Sequence, residues 1–278
     1  MKKLNYEEIE KQSREARKLV VETVNYAGAG HIGGPMSAID ILTTLYFRQM
    51  NIDSDSPDKG DRDRFVLSKG HSAIGLYCVL ALRGYFPIEE LKTFDQLNSR
   101  LQAHPDMTLL PGLEMSTGSL GQGISAALGM AMGSKLQGIN NTVYCMIGDG
   151  ESQEGQVWEA AEIAAKYNLD NFVVILDNNK LQQYGWNAGE GSRSVPDLNP
   201  ADKWKAFGWH TVEVDGHNIE DLDQAFEQLK SVEDVPKIII ANTVKGKGVD
   251  FMEGNYLWHS NVPTDEELKE ALLQLERN

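Results

Sequence analysis

The sequence has few cysteines and no long apolar run. Its 278 residues include only two cysteines, which excludes a disulfide framework and a Cys-x-x-Cys site. Cys78 and Cys145 both lie in apolar runs, and we interpret them as buried free thiols. No stretch of about 18 apolar residues occurs, which argues against a transmembrane helix, and the N-terminus lacks the apolar segment of a signal peptide. These absences predict a protein of the reducing cytoplasm.

Basic residues are scarce relative to acidic ones. The chain has 26 lysines and arginines against 41 aspartates and glutamates, a formal net charge of −15 at pH 7. We therefore expect neither nucleic acid nor a membrane as a partner, because both carry negative charge. If such a chain binds a phosphate compound, a bound cation or helix N-termini must overcome the overall field. The apolar content of 41% is that of a folded globular protein.

Short apolar runs alternate with helical segments along most of the chain. The predicted strands are 65–67, 143–147, 172–176, 211–214 and 238–241. The predicted helices are 5–27, 36–50, 72–82, 120–137, 155–168, 219–231 and 265–277, the last opened by a capping box at 264–267. Continuous apolar strands separated by helices predict an α/β fold with a parallel sheet covered by helices on both faces. Because no linker or repeat divides the chain, we predict one domain over residues 1–278.

Two glycine-rich segments are candidates for ligand binding. Residues 28–33 spell G-x-G-x-x-G but follow a predicted helix rather than a strand. We therefore favour a sharp turn that brings His31 into a tight space, and a nicotinamide-dependent dehydrogenase would rest on this segment alone. Residues 118–123 precede a helix of small residues. That pattern is typical either of an anion-binding helix N-terminus or of two closely packed helices, and the residues alone leave both interpretations open.

The strongest constellation combines Asp149, which follows the strand 143–147, with Asn179, thirty residues later at the end of the next strand. Parallel strands joined by one helix would place both at the carboxyl edge of the sheet, where α/β proteins bind ligands. A carboxylate and an amide oxygen suit Mg²⁺, which takes oxygen ligands and shares them with phosphates. Gly150 would let the backbone approach such a phosphate closely. A turn would explain Asp177-Asn178-Asn179 alone, but not both signals at this spacing.

Together these motifs resemble the N-terminal, diphosphate-binding part of transketolase, a thiamine diphosphate enzyme. The matching segments are 30–36, 63–71, 104–105, 117–123, 148–155 and 177–180. The resemblance implies a thiamine diphosphate-binding fold in which Mg²⁺ is held by Asp149, the Asn179 side chain and the Leu181 backbone carbonyl. It also implies that the residues lining the cofactor are Gly118, Ser119, Leu120 and Gly150, together with His71 and His259.

Four of the six histidines fall where transketolases carry active-site histidines. The resemblance implies that His71 and His259 contact the diphosphate side of the cofactor or the substrate. It implies that His31 and His104 contact the substrate hydroxyls and carbonyl. Imidazole suits these roles because it exchanges protons near neutral pH.

Some residues do not follow the resemblance. Ile32 comes after His31 where the family usually has a proline. Ser119 lies in residues 118–123, which we call the glycine loop, at a point where the family usually has Gly-Pro-Leu. Both changes affect backbone shape more than chemistry. His210 and His217 flank a predicted strand without neighbouring motifs, and we interpret them as structural or exposed.

The resemblance also implies that this chain is one of two subunits. In transketolases, the glutamate that activates the cofactor lies on a pyrimidine-binding domain of a neighbouring subunit. Neither that domain nor the C-terminal domain is recognised in this sequence. We therefore predict the N-terminal subunit of a split transketolase, whose C-terminal partner supplies the glutamate in an α2β2 assembly. The two would transfer a two-carbon ketol unit from a ketose phosphate to an aldose, with Glu154 at the contact between subunits.

Other functions remain open at this point. One alternative is another thiamine enzyme, either the cofactor-binding subunit of a 2-oxoacid dehydrogenase or a deoxyxylulose-phosphate-synthase relative, although segments 70–71 and 118–121 favour transketolase. Another is a ketol transferase that acts on a sulfonated or branched sugar, because specificity would lie largely on the partner. A third is a non-catalytic binding module, against which the intact Asp149, Asn179 and histidines argue.

Overall fold

In the computed structural model, which describes residues 3–183 and 199–277, five parallel strands form one sheet. The strands are β1 (Arg64–Leu67), β2 (Val143–Gly148), β3 (Phe172–Asn178), β4 (His210–Asp215) and β5 (Lys237–Asn242). Their order across the sheet is β1-β2-β3-β5-β4, and every neighbouring pair is parallel. Each predicted strand is present and somewhat longer than predicted, so the parallel α/β sheet is confirmed.

Helices connect the strands. Within the described residues, the α-helices are α1 (Tyr6–Ala27), α2 (Gly33–Thr44), α3 (Ala73–Leu82), α4 (Gln122–Gln137), α5 (Gly155–Lys166), α6 (Pro200–Ala206), α7 (Ile219–Lys230) and α8 (Asp265–Arg277). Short 3₁₀ turns lie at Gly70–Ser72, Ile88–Thr93, Glu151–Gln153 and Tyr256–His259, and a π-helical turn lies at Leu45–Gln49. The sequence pattern does not predict α6 or the 3₁₀ turns, because they are too short to show a period, whereas the π-helical turn lies within the predicted helix 36–50. None of the described helices has both the length and the apolar character needed to cross a bilayer.

Local capping and turn residues determine where α1 begins and ends and where α2 begins. α1 begins at a capping box in which Asn5 and Glu8 exchange side-chain-to-backbone hydrogen bonds. It ends at Gly28, whose φ of 67° is left-handed. α2 begins at Gly33, earlier than predicted, because Pro35 is compatible with the first turn of a helix. The G-x-G-x-x-G segment therefore joins two helices, as predicted, and does not follow a strand.

Helices cover both faces of the sheet. α1, α2, α3, α7 and α8 contribute to the core on one face, and α4, α5 and α6 to the core on the other. Successive strand residues alternate between them, so Val173 belongs to the first core and Val174 to the second. Strands buried on both faces need apolar residues at every position, which explains the continuous apolar runs. Cys78 and Cys145 are buried and free, as predicted, and burial raises the pKa of both thiols.

The register brings the ends of three strands together. Gly148 of β2 pairs with Asp177 of β3, and Asn178 of β3 pairs with Asn242 of β5. The segments that follow β2, β3 and β5 therefore begin side by side at the carboxyl edge of the sheet. Asn179 comes directly after β3 rather than within it, because the strand ends at Asn178.

Two glycines of α4 occupy opposite environments. A Cβ added at Gly123 would lie 2.6 Å from the Ser68 Oγ, whereas one added at Gly129 would meet no atom within 4 Å. We expect Gly123→Ala to lower the free energy of unfolding by about 1–3 kcal/mol through overpacking. We expect Gly129→Ala to raise it by about 0.5–1 kcal/mol, because alanine favours helix. Urea denaturation measures both, and equal effects would contradict the packing of α4 against the end of β1.

Candidate active site

A cleft of about 370 Å³ opens at the carboxyl edge of the sheet. Its lining residues are His31, Gly34, Lys69, His71, His104, Gly118, Leu120, Gly148, Asp149, Gly150, Glu151, Asn179, Leu181, Gln182, Gln183, Lys245 and His259. The lining contains all the predicted catalytic, cofactor-binding and metal-binding residues except Ser119 and Glu154. Motifs that are far apart in the sequence therefore meet in one place.

Ser119 and Glu154 lie outside the lining. Ser119 lies between Gly118 and Leu120, which both line the cleft. Glu154 is exposed and lies beside the glycine loop, since a Cβ added at Gly121 would be 2.9 Å from the Glu154 Cβ. The position of Glu154 at a subunit contact stays a prediction.

Four imidazole rings form a cluster in the cleft. The centroid of the His31 ring lies 5.3 Å from that of His71, 5.8 Å from that of His104 and 5.1 Å from that of His259. The His71 and His259 centroids are 5.2 Å apart. His31 follows α1, whereas His71 and His259 lie on the 3₁₀ turns Gly70–Ser72 and Tyr256–His259. Short turns from separate parts of the chain thus bring these rings together in the cleft.

The histidines at the centre of the cluster are neutral at physiological pH. Burial, followed by the proximity of His104 and Lys245, lowers the pKa of His31 to about 4. Burial and the Lys245 charge lower the pKa of His259 to about 3. Burial and the Lys69 charge hold the pKa of His71 well below its usual value. Neutral imidazole both donates and accepts hydrogen bonds, so these rings are equipped to bind hydroxyl groups and to exchange protons.

The predicted Mg²⁺ ligands lie together in the lining. The Leu181 N–H donates to Asn179 Oδ1 at 3.1 Å, and the Lys245 ammonium donates to the Leu181 carbonyl at 2.9 Å. Among residues 3–183 and 199–277, no group of three or more His, Cys, Asp or Glu side chains is placed to hold a metal ion. A metal here would therefore need amide and backbone oxygens besides Asp149, which is the donor set that the sequence predicts. The Asp149 carboxylate, the Asn179 amide and the Leu181 carbonyl all offer oxygen atoms, so these lining residues fit a hard divalent cation.

Lys245 is a cleft residue that the sequence analysis missed. It follows β5, is buried, and places its ammonium 2.8 Å from His259 Nδ1. Burial, followed by the Lys69 charge, lowers its pKa to about 8. The signal that would have found it is the one that identified Asp149, a polar residue beside a glycine just past an apolar strand.

A buried ion pair lies beneath the cleft. Lys69, which lines the cleft, contacts the Asp177 carboxylate, and the two side chains are only 1% and 0% exposed. The Ser37 hydroxyl donates to the same carboxylate at 2.7 Å. Burial by itself raises the pKa of Asp177, but the Lys69 charge and the hydrogen bonds outweigh it and keep the pKa below its usual value. Burial and, after it, the Asp177 charge raise the pKa of Asp149.

Glu151 connects the glycine loop to the end of β2. Its buried carboxylate accepts hydrogen bonds from three donors, the Ser68 hydroxyl at 2.6 Å, the Gly121 N–H at 2.8 Å and the Gly148 N–H at 3.2 Å. Burial raises its pKa despite these bonds. Gly118 lines the cleft, whereas Gly123 packs closely against Ser68, which follows a strand and not a second helix. Anion binding by residues 118–123 stays a prediction.

Comparison with known proteins gives a match along nearly the whole chain. Residues 9–276 match the family model described as "Transketolase, thiamine diphosphate binding domain". The chain is 45% identical over 271 residues to the 6-deoxy-6-sulfo-D-fructose transketolase subunit SqwG of Clostridium sp. (strain MSTE9), and the match covers 97% of each chain. It is 41% identical over 272 residues to an apulose-4-phosphate transketolase subunit of Phocaeicola vulgatus, covering 98% of this chain and 95% of that protein.

Solved structures show the same fold within longer chains. The transketolase of Campylobacter jejuni superposes with a TM-score of 0.89 at 33% sequence identity. The match covers 98% of this chain but 43% of the Campylobacter chain. This chain therefore spans less than half the length of that transketolase, whereas it spans nearly the full length of the two subunit relatives.

We expect the cleft histidines to make stability depend on pH. The pKa of His259 is lower in the folded chain, at about 3, than in the unfolded chain, so below about pH 6.5 the unfolded state takes up the proton first. The free energy of unfolding should therefore fall as the pH drops from 7 to 5. After a discount for partial solvent exposure, His259→Gln should lose about 1 kcal/mol less over this interval than the unmodified chain. Denaturation curves at both pH values provide the measurement, and parallel pH profiles would contradict it.

Proposed function

Because the chain belongs to the transketolase family and matches its thiamine diphosphate-binding domain, we propose that it is the N-terminal subunit of a two-chain transketolase. The observation that carries this proposal is the cleft, in which the glycine loop, the Asp149–Asn179 pair and four histidines meet. We assign residues 1–278 to a single diphosphate-binding domain. This chain covers nearly the full length of two relatives that are named as subunits, which supports a separate partner chain.

The cofactors that we propose are thiamine diphosphate and Mg²⁺. Asp149, the Asn179 side chain and the Leu181 carbonyl would hold the metal, and the glycine loop with Gly150 would lie against the cofactor. The charges in the lining support a divalent cation, because the two lysines there are matched by the carboxylates of Asp149 and Glu151. A diphosphate would bring further negative charge, which a divalent ion neutralises.

Bound thiamine diphosphate supplies an electron sink for the carbanion that a ketol transfer generates. The protein's own groups bind and orient the sugar and move protons. We assign His31 and His104 to the substrate hydroxyls and carbonyl, and His71 and His259 to the diphosphate side or the substrate. Neutral imidazoles suit these tasks, and each positioned acid or base contributes about 10²–10⁴-fold to the rate.

We assign the remaining parts of the active site to a C-terminal partner that supplies the activating glutamate and the pyrimidine-binding domain, in an α2β2 assembly. Exposed apolar residues beside the cleft support coverage by another chain, since Leu120 in the lining is 36% exposed and Leu257 near His259 is 53% exposed. Glu154, exposed beside the glycine loop, would lie at this contact. The buried free cysteines fit the reducing cytoplasm that we propose as the compartment.

The donor sugar has two candidates. We propose a ketose phosphate as the general donor class and an aldose as the acceptor. A sulfonated or branched sugar is a second candidate, because the two relatives that the chain covers almost completely are named for 6-deoxy-6-sulfo-D-fructose and apulose-4-phosphate.

Removal of the Asp149 carboxylate tests the metal assignment. We expect Asp149→Ala to abolish the Mg²⁺-dependent part of thiamine diphosphate binding, because the ion loses the one charged group among its three proposed ligands. Calorimetric titration with and without Mg²⁺ measures it. Asp55→Ala, which removes the same charge from an exposed loop, is the matched control and should bind as the unmodified chain does. Unchanged Mg²⁺-dependent binding in Asp149→Ala would reject the assignment.

Reconstitution tests the two-chain proposal. Purified chain with thiamine diphosphate and Mg²⁺ is assayed for ketol transfer alone and with a chain that carries the other two transketolase domains. Fructose 6-phosphate, 6-deoxy-6-sulfo-D-fructose and apulose 4-phosphate serve as donors. We expect activity only in the mixture, because the activating glutamate lies on the partner. Full activity of this chain alone would refute the proposal, and cofactor binding without transfer in any mixture would favour a binding module.

A further inference from the structure

His217 lies outside the cleft, in the turn between β4 and α7. Its imidazole connects Asp40 of α2 to Val244, the residue before Lys245. We propose that His217, oriented by Asp40, is a positioning residue that sets Lys245 in place to contact the diphosphate. This inference rests on the proposed function, and it assigns a role to a histidine that the sequence pattern suggests is merely structural or exposed.

The hydrogen bonds of His217 define the state of its ring. The Val244 N–H donates to His217 Nε2 at 2.8 Å, so Nε2 carries no proton. The proton therefore lies on Nδ1, which donates to Asp40 Oδ2 at 2.8 Å. Each ring nitrogen thus has a distinct task, one as donor to the carboxylate and one as acceptor from the backbone.

The carboxylate behind His217 is firmly held. Arg17 of α1 binds Asp40 with both terminal nitrogens, at 3.0 Å to Oδ1 and 2.5 Å to Oδ2. The two side chains are 8% and 7% exposed. The Arg17 Nε also donates to the Met36 carbonyl at 3.3 Å, which ties the pair to the beginning of α2. A two-pronged ion pair anchored to two helices gives His217 a fixed partner and a fixed ring orientation.

The backbone around Lys245 is held on both sides. Before it, the Val244 N–H is bound by His217, and after it, the Gly246 N–H donates to the Gly33 carbonyl at 3.0 Å. Between these two bonds, the buried Lys245 side chain reaches the Leu181 carbonyl and the His259 ring. Loss of the first bond would leave the Val244 N–H without its acceptor and free the segment to shift, which moves the ammonium away from the cleft.

Two amide substitutions, each imitating one ring nitrogen, separate the tasks of the two nitrogens. His217→Asn places an amide near the Nδ1 position and can still donate to Asp40, but it cannot reach the Val244 N–H. His217→Gln extends to the Nε2 position and can still accept from that N–H. Asparagine is common in turns, so we expect the variant to fold, and His217→Ser removes the same acceptor if it does not.

The experiment measures binding of inorganic pyrophosphate with Mg²⁺ to the full chain, with its partner subunit present where binding requires it. We expect His217→Asn to weaken binding about tenfold and His217→Gln less than threefold. In a Lys245→Met background, His217→Asn should have no further effect, because residues that act through one another are not additive. Melting temperatures of all variants separate these effects from a general loss of stability.

Three results would overturn the proposal. One is unchanged pyrophosphate affinity in His217→Asn while Lys245→Met binds weakly. Another is an equal loss from His217→Asn in both Lys245 backgrounds, which would mean that His217 only supports the fold. A third is unchanged pyrophosphate binding in Lys245→Met, which would mean that the diphosphate does not lie against Lys245. By contrast, absence of Mg²⁺-dependent pyrophosphate binding to the unmodified protein would count against the proposed function itself.

Discussion

The parallel register of β2, β3 and β5 is the constraint on which the candidate active site depends. It makes three strands end at one edge, so that Asp149, Asn179 and Lys245 begin their loops as neighbours. Hydrogen-bonded strands buried on both faces cannot slip without exposing apolar residues, so this edge is rigid. The turns that carry the histidines need only reach a site that the sheet already defines.

The charged residues of the cleft are the second feature on which the site depends. The chain is acidic, and in the cleft the charges of Lys69 and Lys245 are balanced by carboxylates, which is why the proposed site needs a divalent cation to receive a diphosphate. Both lysines are buried, and their charges help to keep the neighbouring imidazoles neutral. The lining thus combines two lysines, two carboxylates and a group of neutral rings that are able to donate and accept hydrogen bonds.

Buried carboxylates connect the elements around the cleft. Asp177 joins β3 to Lys69 and to Ser37 of α2, and Glu151 joins the glycine loop to the end of β2. Asp40 joins α1 and α2 to the turn that carries His217. Each accepts several hydrogen bonds, and a buried carboxylate with several donors specifies the relative placement of the segments that supply them. These three acidic residues near the site therefore have a structural role.

The sequence by itself determined the strands, most helices, and the meeting of Asp149 with Asn179. Those features arise from local periodicity and from one crossover between adjacent strands, both of which operate over short stretches of chain. Only the tertiary structure decided that Lys245 reaches the Leu181 carbonyl, 64 residues away, and that His217 reaches Asp40, 177 residues away. Such contacts depend on how separate segments pack together, and no local pattern in the sequence encodes that arrangement.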